Sequence, residues 1–192
     1  MEYDISIVTI LIGVVVYLIY DTYVLGAREY VMSTVDAHKY LVRSLPDKQD
    51  AADLLAVTSK KLQTLVGHMQ KIAPNDPRTL RLVEKFKPEN ICEGVDSKEY
   101  TSYSVNKGEQ IIFCLRQKDK NNTLVDENTI VFVAIHELAH ICTESIGHTD
   151  EFWQNFRWLL QEAIQIGIYA EQDYKAKPQQ YCGINITSSP LD

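Results

Sequence analysis

The sequence predicts an α+β protein with an N-terminal transmembrane helix, a helical hairpin and a small C-terminal domain. Three observations support this fold class: an uncharged apolar run near the N-terminus, apolar positions at helical spacing in the middle, and a short β-prone run ahead of a helix containing His-Glu-Leu-Ala-His. We therefore divide the 192 residues into an anchor over 1–25, a helical region over 26–88 and a domain with a short sheet and an HExxH helix over 89–192.

The predicted anchor begins at residue 5. Residues 5–20 carry no charge, and the apolar run continues to Leu25 if Asp21 is included. At about 1.5 Å per residue these two lengths correspond to about 24 and 31 Å, against a hydrocarbon core of about 30 Å. The run is apolar on every side, and it has neither the basic start nor the cleavage site of a signal peptide. We therefore expect residues 5–25 to contact a membrane as an uncleaved single span.

The orientation of this span follows from the charges beside it. Arg28, Lys39 and Arg43 all lie on its C-terminal side. Because basic residues favour the cytoplasmic face, we expect a membrane protein whose C-terminal domain lies in the cytoplasm.

Three helices are predicted between the anchor and residue 88. Residues 27–43 are helix-prone, and residues 52–72 place apolar side chains at spacings of three and four. Pro46 separates the two segments, which predicts a helical hairpin. A third short helix is expected to begin after Asp76 and to end before Pro88.

The C-terminal domain begins with a β-prone stretch. The run of residues 110–116 predicts a strand, and a polar loop follows it. Asp126 or Asn128 can cap the next helix, which contains the sequence TIVFVAIHELAHI.

Charge and cysteine content limit the possible partners. With 19 basic residues against 26 acidic ones, the net charge is -7. A protein that binds nucleic acid through its backbone phosphates needs the opposite excess, so no nucleic-acid partner is expected. The four cysteines form no CxxC pair, so we interpret them as small buried residues: Cys92, Cys114, Cys142 and Cys182.

The HExxH motif carries the chemistry. His136 and His140 are four residues apart, which places both imidazoles on one face of the helix, within reach of one metal ion. Glu137 points towards the remaining coordination position, where a carboxylate can take a proton from a water molecule. A catalytic zinc needs three protein ligands, so one ligand has to come from elsewhere.

His148 is our first choice for the third ligand. It follows Gly147, a residue that can end a helix and turn the chain back towards the metal. Three downstream carboxylates remain as alternatives, since some zinc peptidases use one: Glu144, Glu151 and Glu162.

These motifs resemble those of a known family. HELAH followed by GHTDEFW is similar to the motif of WLM and SprT-like zinc metallopeptidases, over about residues 108–166. Further segments, from SLPDKQDAADLLA to YCGINITSSP, resemble the membrane-anchored WLM-like proteins of large double-stranded DNA viruses. One difference is the spacer of seven residues between His140 and His148, where the family usually has five.

The resemblance implies a zincin-like fold and a zinc-dependent metallopeptidase. It implies that His136, His140 and His148 bind Zn²⁺ and that Glu137 is the general base. It also implies that the strand at 110–116 forms the edge of a cleft for a peptide or an unfolded protein.

One auxiliary role and two alternative functions remain open. A downstream tyrosine can stabilise the oxyanion, with three candidates: Tyr169, Tyr174 and Tyr181. The alternative functions are a catalytically silent zinc-binding structural protein of a virion or membrane, and a module that binds peptides without cleaving them. Neither needs a base at Glu137.

Overall fold

The structure is a computed structural model that describes residues 5–20, 28–95 and 101–192. Within these ranges the chain is α+β, as predicted. The helices are α1 Ile5–Tyr20, α2 Lys48–Ile72, α3 Pro77–Lys85, α4 Glu127–Cys142 and α5 Asp150–Gln165. The strands are β1 Arg28–Met32, β2 Lys39–Arg43, β3 Ile91–Glu93, β4 Tyr103–Val105, β5 Gln110–Phe113, β6 Gln179–Tyr181 and β7 Ile184–Ile186.

The predicted transmembrane anchor is wrong. Helix α1 has 16 residues, and no helix within the described ranges is long and apolar enough to cross a membrane. Sixteen helical residues cover about 24 Å, which is less than the hydrocarbon core. Residues 21–25 of the predicted span lie outside the described residues. The predicted single-pass membrane location, with a cytoplasmic C-terminal domain, depends on this span and is therefore also wrong.

The predicted helical hairpin is also wrong in its first half. Strands β1 and β2 form an antiparallel β-hairpin in which Tyr30 faces Leu41, and its turn contains Ala37 at a φ of 58°. Tyr40 and Val42 alternate with more exposed neighbours and are buried in the core. This alternation suits aromatic and β-branched side chains packed on one face of a strand, so tertiary packing outweighs local helix propensity here.

Helices α2 and α3 follow the sequence prediction closely. The buried side chains of α2, which include Leu55, Leu62 and Met69, recur at helical spacing and face the core. Helix α3 begins at Pro77, and the Asp76 side chain accepts a hydrogen bond from the backbone N–H two residues later. This is the N-cap that the sequence predicts.

The central sheet has the strand order β3-β5-β4. Strand β3 runs parallel to β5, and β4 runs antiparallel to it. The predicted strand at 110–116 therefore exists but is shorter. It lies in the middle of the sheet, so the prediction that it forms the cleft edge is wrong. Within the described ranges, β4 is an outer strand of this sheet and borders the cleft described below.

Helix α4 packs against α2, α3 and α5. It begins after Asp126, whose carboxylate accepts a hydrogen bond from the Thr129 N–H, so the first of the two predicted caps is used. Eleven of its 16 residues are buried. A helix surrounded in this way by α2, α3 and α5 is a rigid base for functional side chains.

Candidate active site

Helix α4 brings His136 and His140 together. The two residues lie one turn apart, and their Nε2 atoms are 3.2 Å from each other. Both imidazoles contact α5: the ring of Phe152 stacks on His140 with centroids 4.3 Å apart, and Phe156 meets His136 edge to face at 5.2 Å. Helix α5 therefore limits the orientation of both rings.

The loop between α4 and α5, residues 143–149, brings in the third histidine. Gly147 has a φ of 85°, a conformation that glycine adopts without strain, and it turns the chain towards α4. The Nε2 atom of His148 then lies 3.1 Å from that of His136. Trp153 of α5 stacks on the His148 ring at 5.7 Å.

Two charged side chains hold this loop. The Lys107 ammonium donates hydrogen bonds to the carbonyls of Thr143, Glu144 and Ser145, at 2.6 to 3.1 Å. The Glu151 carboxylate accepts hydrogen bonds from the backbone N–H groups of Glu144 and Ser145. These contacts hold the seven-residue spacer in a conformation that places His148 beside His136.

The three histidines fit a tetrahedral metal. Their ligand nitrogens all lie within 4.8 Å of one another. Ligand bonds of about 2.0–2.1 Å in tetrahedral geometry place two nitrogens about 3.3 Å apart, which is close to the two short distances above. Burial and the neighbouring histidines lower the pKa of His136 to about 3, and burial lowers that of His140 to about 4. Both are therefore neutral at physiological pH, as metal ligation requires.

Glu137 lies beside this cluster and is 4% exposed. Burial raises the pKa of its carboxyl group to about 7, although a backbone hydrogen bond from Ser104 of β4 acts in the opposite direction. A carboxyl group with a pKa near neutral is suited to accepting a proton and returning it. Glu137 is thus a buried proton acceptor next to a possible metal position.

The alternative third ligands have other contacts. Glu151 binds the loop backbone, as described above, and the Glu162 carboxylate lies 2.8 Å from the Nε2 atom of His68. The side chain of Glu144 is 86% exposed and lies 3.9 Å from the Arg81 guanidinium. The structure therefore places none of these carboxylates in the histidine cluster.

A cleft with two lobes lies over His136 and Glu137. The first, which we call the polar lobe, is a cavity of about 400 Å³ between β4 and the 143–149 loop. The second, the apolar lobe, is about 150 Å³ and lies between α4 and the C-terminal hairpin β6–β7. Both lobes are lined by His136 and Glu137.

Only one of the three candidate tyrosines lies at this cleft. The hydroxyl groups of Tyr169 and Tyr174 bond to each other in the core. Tyr181 lines the apolar lobe, where its hydroxyl group contacts that of Ser102. Burial raises the pKa of Tyr181, so the phenol is neutral. An oxyanion role for Tyr181 stays a prediction.

A disulfide fixes the hairpin that carries Tyr181. Cys114, just beyond β5, is bonded to Cys182, 68 residues later. The sequence does not determine which cysteines are bonded, and the structure shows that this pair is, whereas Cys92 and Cys142 are free and buried.

Sequence reasoning also missed Lys107 and Ser104. Both contact backbone or buried atoms from a distant part of the chain. No local motif marks such contacts, so only the fold shows them.

The fold and the site together define an α+β protein of the HExxH class, with a three-histidine cluster on a buried helix. The family model of the WLM domain matches residues 34–190 of this sequence. The chain therefore belongs to the WLM family, a protease-like and zinc-dependent family, which confirms the resemblance seen in the sequence.

Relatives occur in large DNA viruses. An uncharacterized protein of Acanthamoeba polyphaga mimivirus is 32% identical over 166 residues, which cover 84% of each chain. One from Invertebrate iridescent virus 6 is 35% identical over 82 residues, 42% of this chain and 44% of that protein. Among solved structures, Wss1 from Saccharomyces cerevisiae is 22% identical, with a TM-score of 0.48 over 65% of this chain and 85% of that one.

Proposed function

We propose that the protein is a zinc-dependent metallopeptidase. The observation that carries this proposal is the convergence of three imidazole nitrogens with the buried carboxyl group of Glu137 in one cleft. Membership of a protease-like, zinc-dependent family supports it.

The residues of the site have separate roles in this proposal. His136, His140 and His148 would hold Zn²⁺, because the Nε2 atom of His136 lies at the spacing of tetrahedral ligands from those of both other histidines. The chemistry that zinc supplies in such a site is Lewis-acid activation of a water molecule. Glu137 accepts the proton of that water and delivers it to the leaving amine, a transfer for which a pKa near 7 is suitable.

The proposed substrate is a peptide or an unfolded protein. The polar lobe of about 400 Å³ lies beside a strand and leads directly into the apolar lobe. A continuous cleft of this size admits a few residues of an extended chain but excludes a folded domain. With its net charge of -7, the protein is not expected to use nucleic acid as a partner.

The test separates the base from the ligands. Glu137→Gln keeps the size of the side chain but removes the proton acceptor, so peptide cleavage is expected to fall about 10²- to 10⁴-fold while zinc content is unchanged. His136→Ala removes a ligand and is expected to lose the zinc itself. His38→Ala is the matched control, since His38 is exposed and lies on the β1–β2 hairpin outside the cleft.

Zinc content by elemental analysis and cleavage of unfolded proteins are the two measurements. Well-folded protein without zinc would overturn the metal site and the enzyme together. Zinc-loaded protein that cleaves no peptide would leave the zinc site standing and would favour a structural protein or a peptide-binding module.

A further inference from the structure

The apolar lobe has the composition of a side-chain pocket. Two of its walls come from Phe132 and Val133 of α4, and the opposite wall comes from Ile184 and Ile186 of the β6–β7 hairpin. Ile184 is 51% exposed and Val133 is half-buried. Apolar surface that lines a cleft beside a catalytic carboxyl group gains from being covered by an apolar ligand group.

The polar groups of the lobe do not favour a charged ligand. The hydroxyl groups of Ser102 and Tyr181 bond to each other, and Glu137 supplies a carboxyl group at one end. A charged group entering the lobe would lose its hydration against these apolar walls, a cost that an apolar group does not have. The walls therefore favour an uncharged, apolar group.

The volume of the lobe sets the size of that group. A dry cavity of about 150 Å³ with aliphatic and aromatic walls holds a benzene-sized molecule, and the apolar lobe is of this size. Side chains as large as those of Leu, Met or Phe fill such a space, whereas Ala leaves most of it empty.

The hairpin wall is fixed before a substrate arrives. Cys182, the residue after Tyr181, is bonded to Cys114. The Gln117 side chain adds two hydrogen bonds, because its oxygen accepts from the Cys182 N–H and its nitrogen donates to the Gln180 carbonyl. A wall that is already ordered discriminates between side chains by size more sharply than a mobile wall, because little conformational free energy is lost when the substrate binds.

We propose that the apolar lobe is the specificity pocket of the enzyme and that it takes a Leu-, Met- or Phe-sized side chain from a residue flanking the scissile bond. The flanking position follows because His136 and Glu137 line both lobes, which places the reacting bond at their junction. This inference rests on the proposed peptidase function, but it concerns a different set of residues.

Paired peptides that differ only in Leu or Ala at the flanking positions test the pocket. The parent is expected to cleave the Leu peptide with a kcat/KM at least about tenfold higher, since about tenfold is the lower end of what an apolar pocket gives for one methylene group. Val133→Phe fills the lobe and is expected to remove this preference. Ile184→Ala opens the wall and is expected to reduce it about threefold to tenfold.

Ile72→Ala is the matched control. It makes the same substitution at a residue that is also half exposed, 50% against 51%, but at the end of α2. It is expected to keep the parental ratio of Leu to Ala cleavage. Thermal unfolding of each variant shows whether Val133→Phe still folds, and Ile184→Ala tests the opposite wall of the same lobe with a smaller change.

Equilibrium binding of the same peptides to Glu137→Gln separates the two proposals. A Leu preference in binding without any cleavage by the parent would overturn the peptidase and support the pocket. Cleavage by the parent with equal rates for Leu and Ala peptides would overturn the pocket and leave the peptidase intact. If the parent shows neither cleavage nor a preference in binding, both proposals fail.

Discussion

The two lobes of the cleft have outer walls of similar length that are held by different means. The loop 143–149 beside the polar lobe is fixed because Lys107 donates hydrogen bonds to its carbonyl groups and Glu151 accepts them from its N–H groups. The hairpin β6–β7 beside the apolar lobe is fixed by the disulfide between Cys114 and Cys182. One wall carries His148, the proposed third metal ligand, and the other carries the apolar surface.

This difference predicts how each wall responds to change. Hydrogen bonds that involve a charged group contribute about 1.5–3 kcal/mol each, and each depends on a single side chain. A disulfide acts mainly by restricting the unfolded chain, so its loss affects the whole domain. We therefore expect the 143–149 loop to loosen locally, and the hairpin to depend on a bond that stabilises the entire fold.

The largest effect is expected from removing the disulfide. The bond closes a loop with a sequence separation of 68, and a cross-link over such a length typically contributes about 2–4 kcal/mol to the free energy of unfolding. Cys182→Ser is expected to lower that free energy by this amount in denaturant titrations. A reducing agent should bring the parent to the same value.

Cys92→Ser is the control for this prediction. Cys92 is buried but free, so its substitution changes one polar atom without removing a cross-link. The free energy of unfolding of this variant should differ from that of the parent by the same amount with and without reductant. If reductant leaves the parent unchanged, the disulfide does not contribute as proposed, and the hairpin is held by packing and by the hydrogen bonds of Gln117.

A smaller and local effect is expected at the polar lobe. Lys107→Met removes hydrogen bonds to three carbonyl groups of the loop. The loss of one such charged bond corresponds to an opening equilibrium about tenfold or more larger. Amide hydrogen exchange at Glu144 and Ser145 should accelerate by at least this factor, while α2 and α3 keep their protection.

Lys71→Met is the matched control, because Lys71 is exposed on the last turn of α2. It should leave exchange in the loop unchanged. Equal exchange in Lys107→Met and in the parent would show that Glu151 alone is sufficient to hold this wall.

The contrast between the walls also explains what the sequence can predict. The helix α4 and its histidines follow from a local pattern, because the spacing of four residues and the Asp126 cap act within a few turns. The disulfide joins residues 68 positions apart, and the spacing of cysteines does not determine their pairing. Lys107 likewise bonds to carbonyls 36 to 38 residues away.

The two incorrect predictions near the N-terminus have related causes. Residues 27–43 contain good helix formers, but the burial of Tyr40 and Val42 against α2 selects a β-hairpin. In the apolar run, hydropathy describes which side chains avoid water but not how long the helix is. The described helix Ile5–Tyr20 has 16 residues, which is too short for a span.

The smallest predicted effect concerns the pH dependence of the hydrogen bonds between Glu151 and the backbone of the loop. Hydrogen bonds from the backbone N–H groups of Glu144 and Ser145 lower the pKa of the Glu151 carboxyl group to about 2, from a usual value of 4.5. A lowered pKa means that the charged form is favoured in the folded state. The contribution of the Glu151 carboxylate to holding the loop is therefore complete above about pH 4.5 and is lost as the pH falls towards 2.

The amide NMR signals of Glu144 and Ser145 should thus stay at their neutral-pH positions down to about pH 4 and move only below about pH 3. In Glu151→Gln the same signals should be shifted at every pH and should show no such titration. A titration midpoint near pH 4.5 for these signals in the parent would mean that the carboxylate does not hold the loop. Lys107 would then be the main side chain that holds this wall.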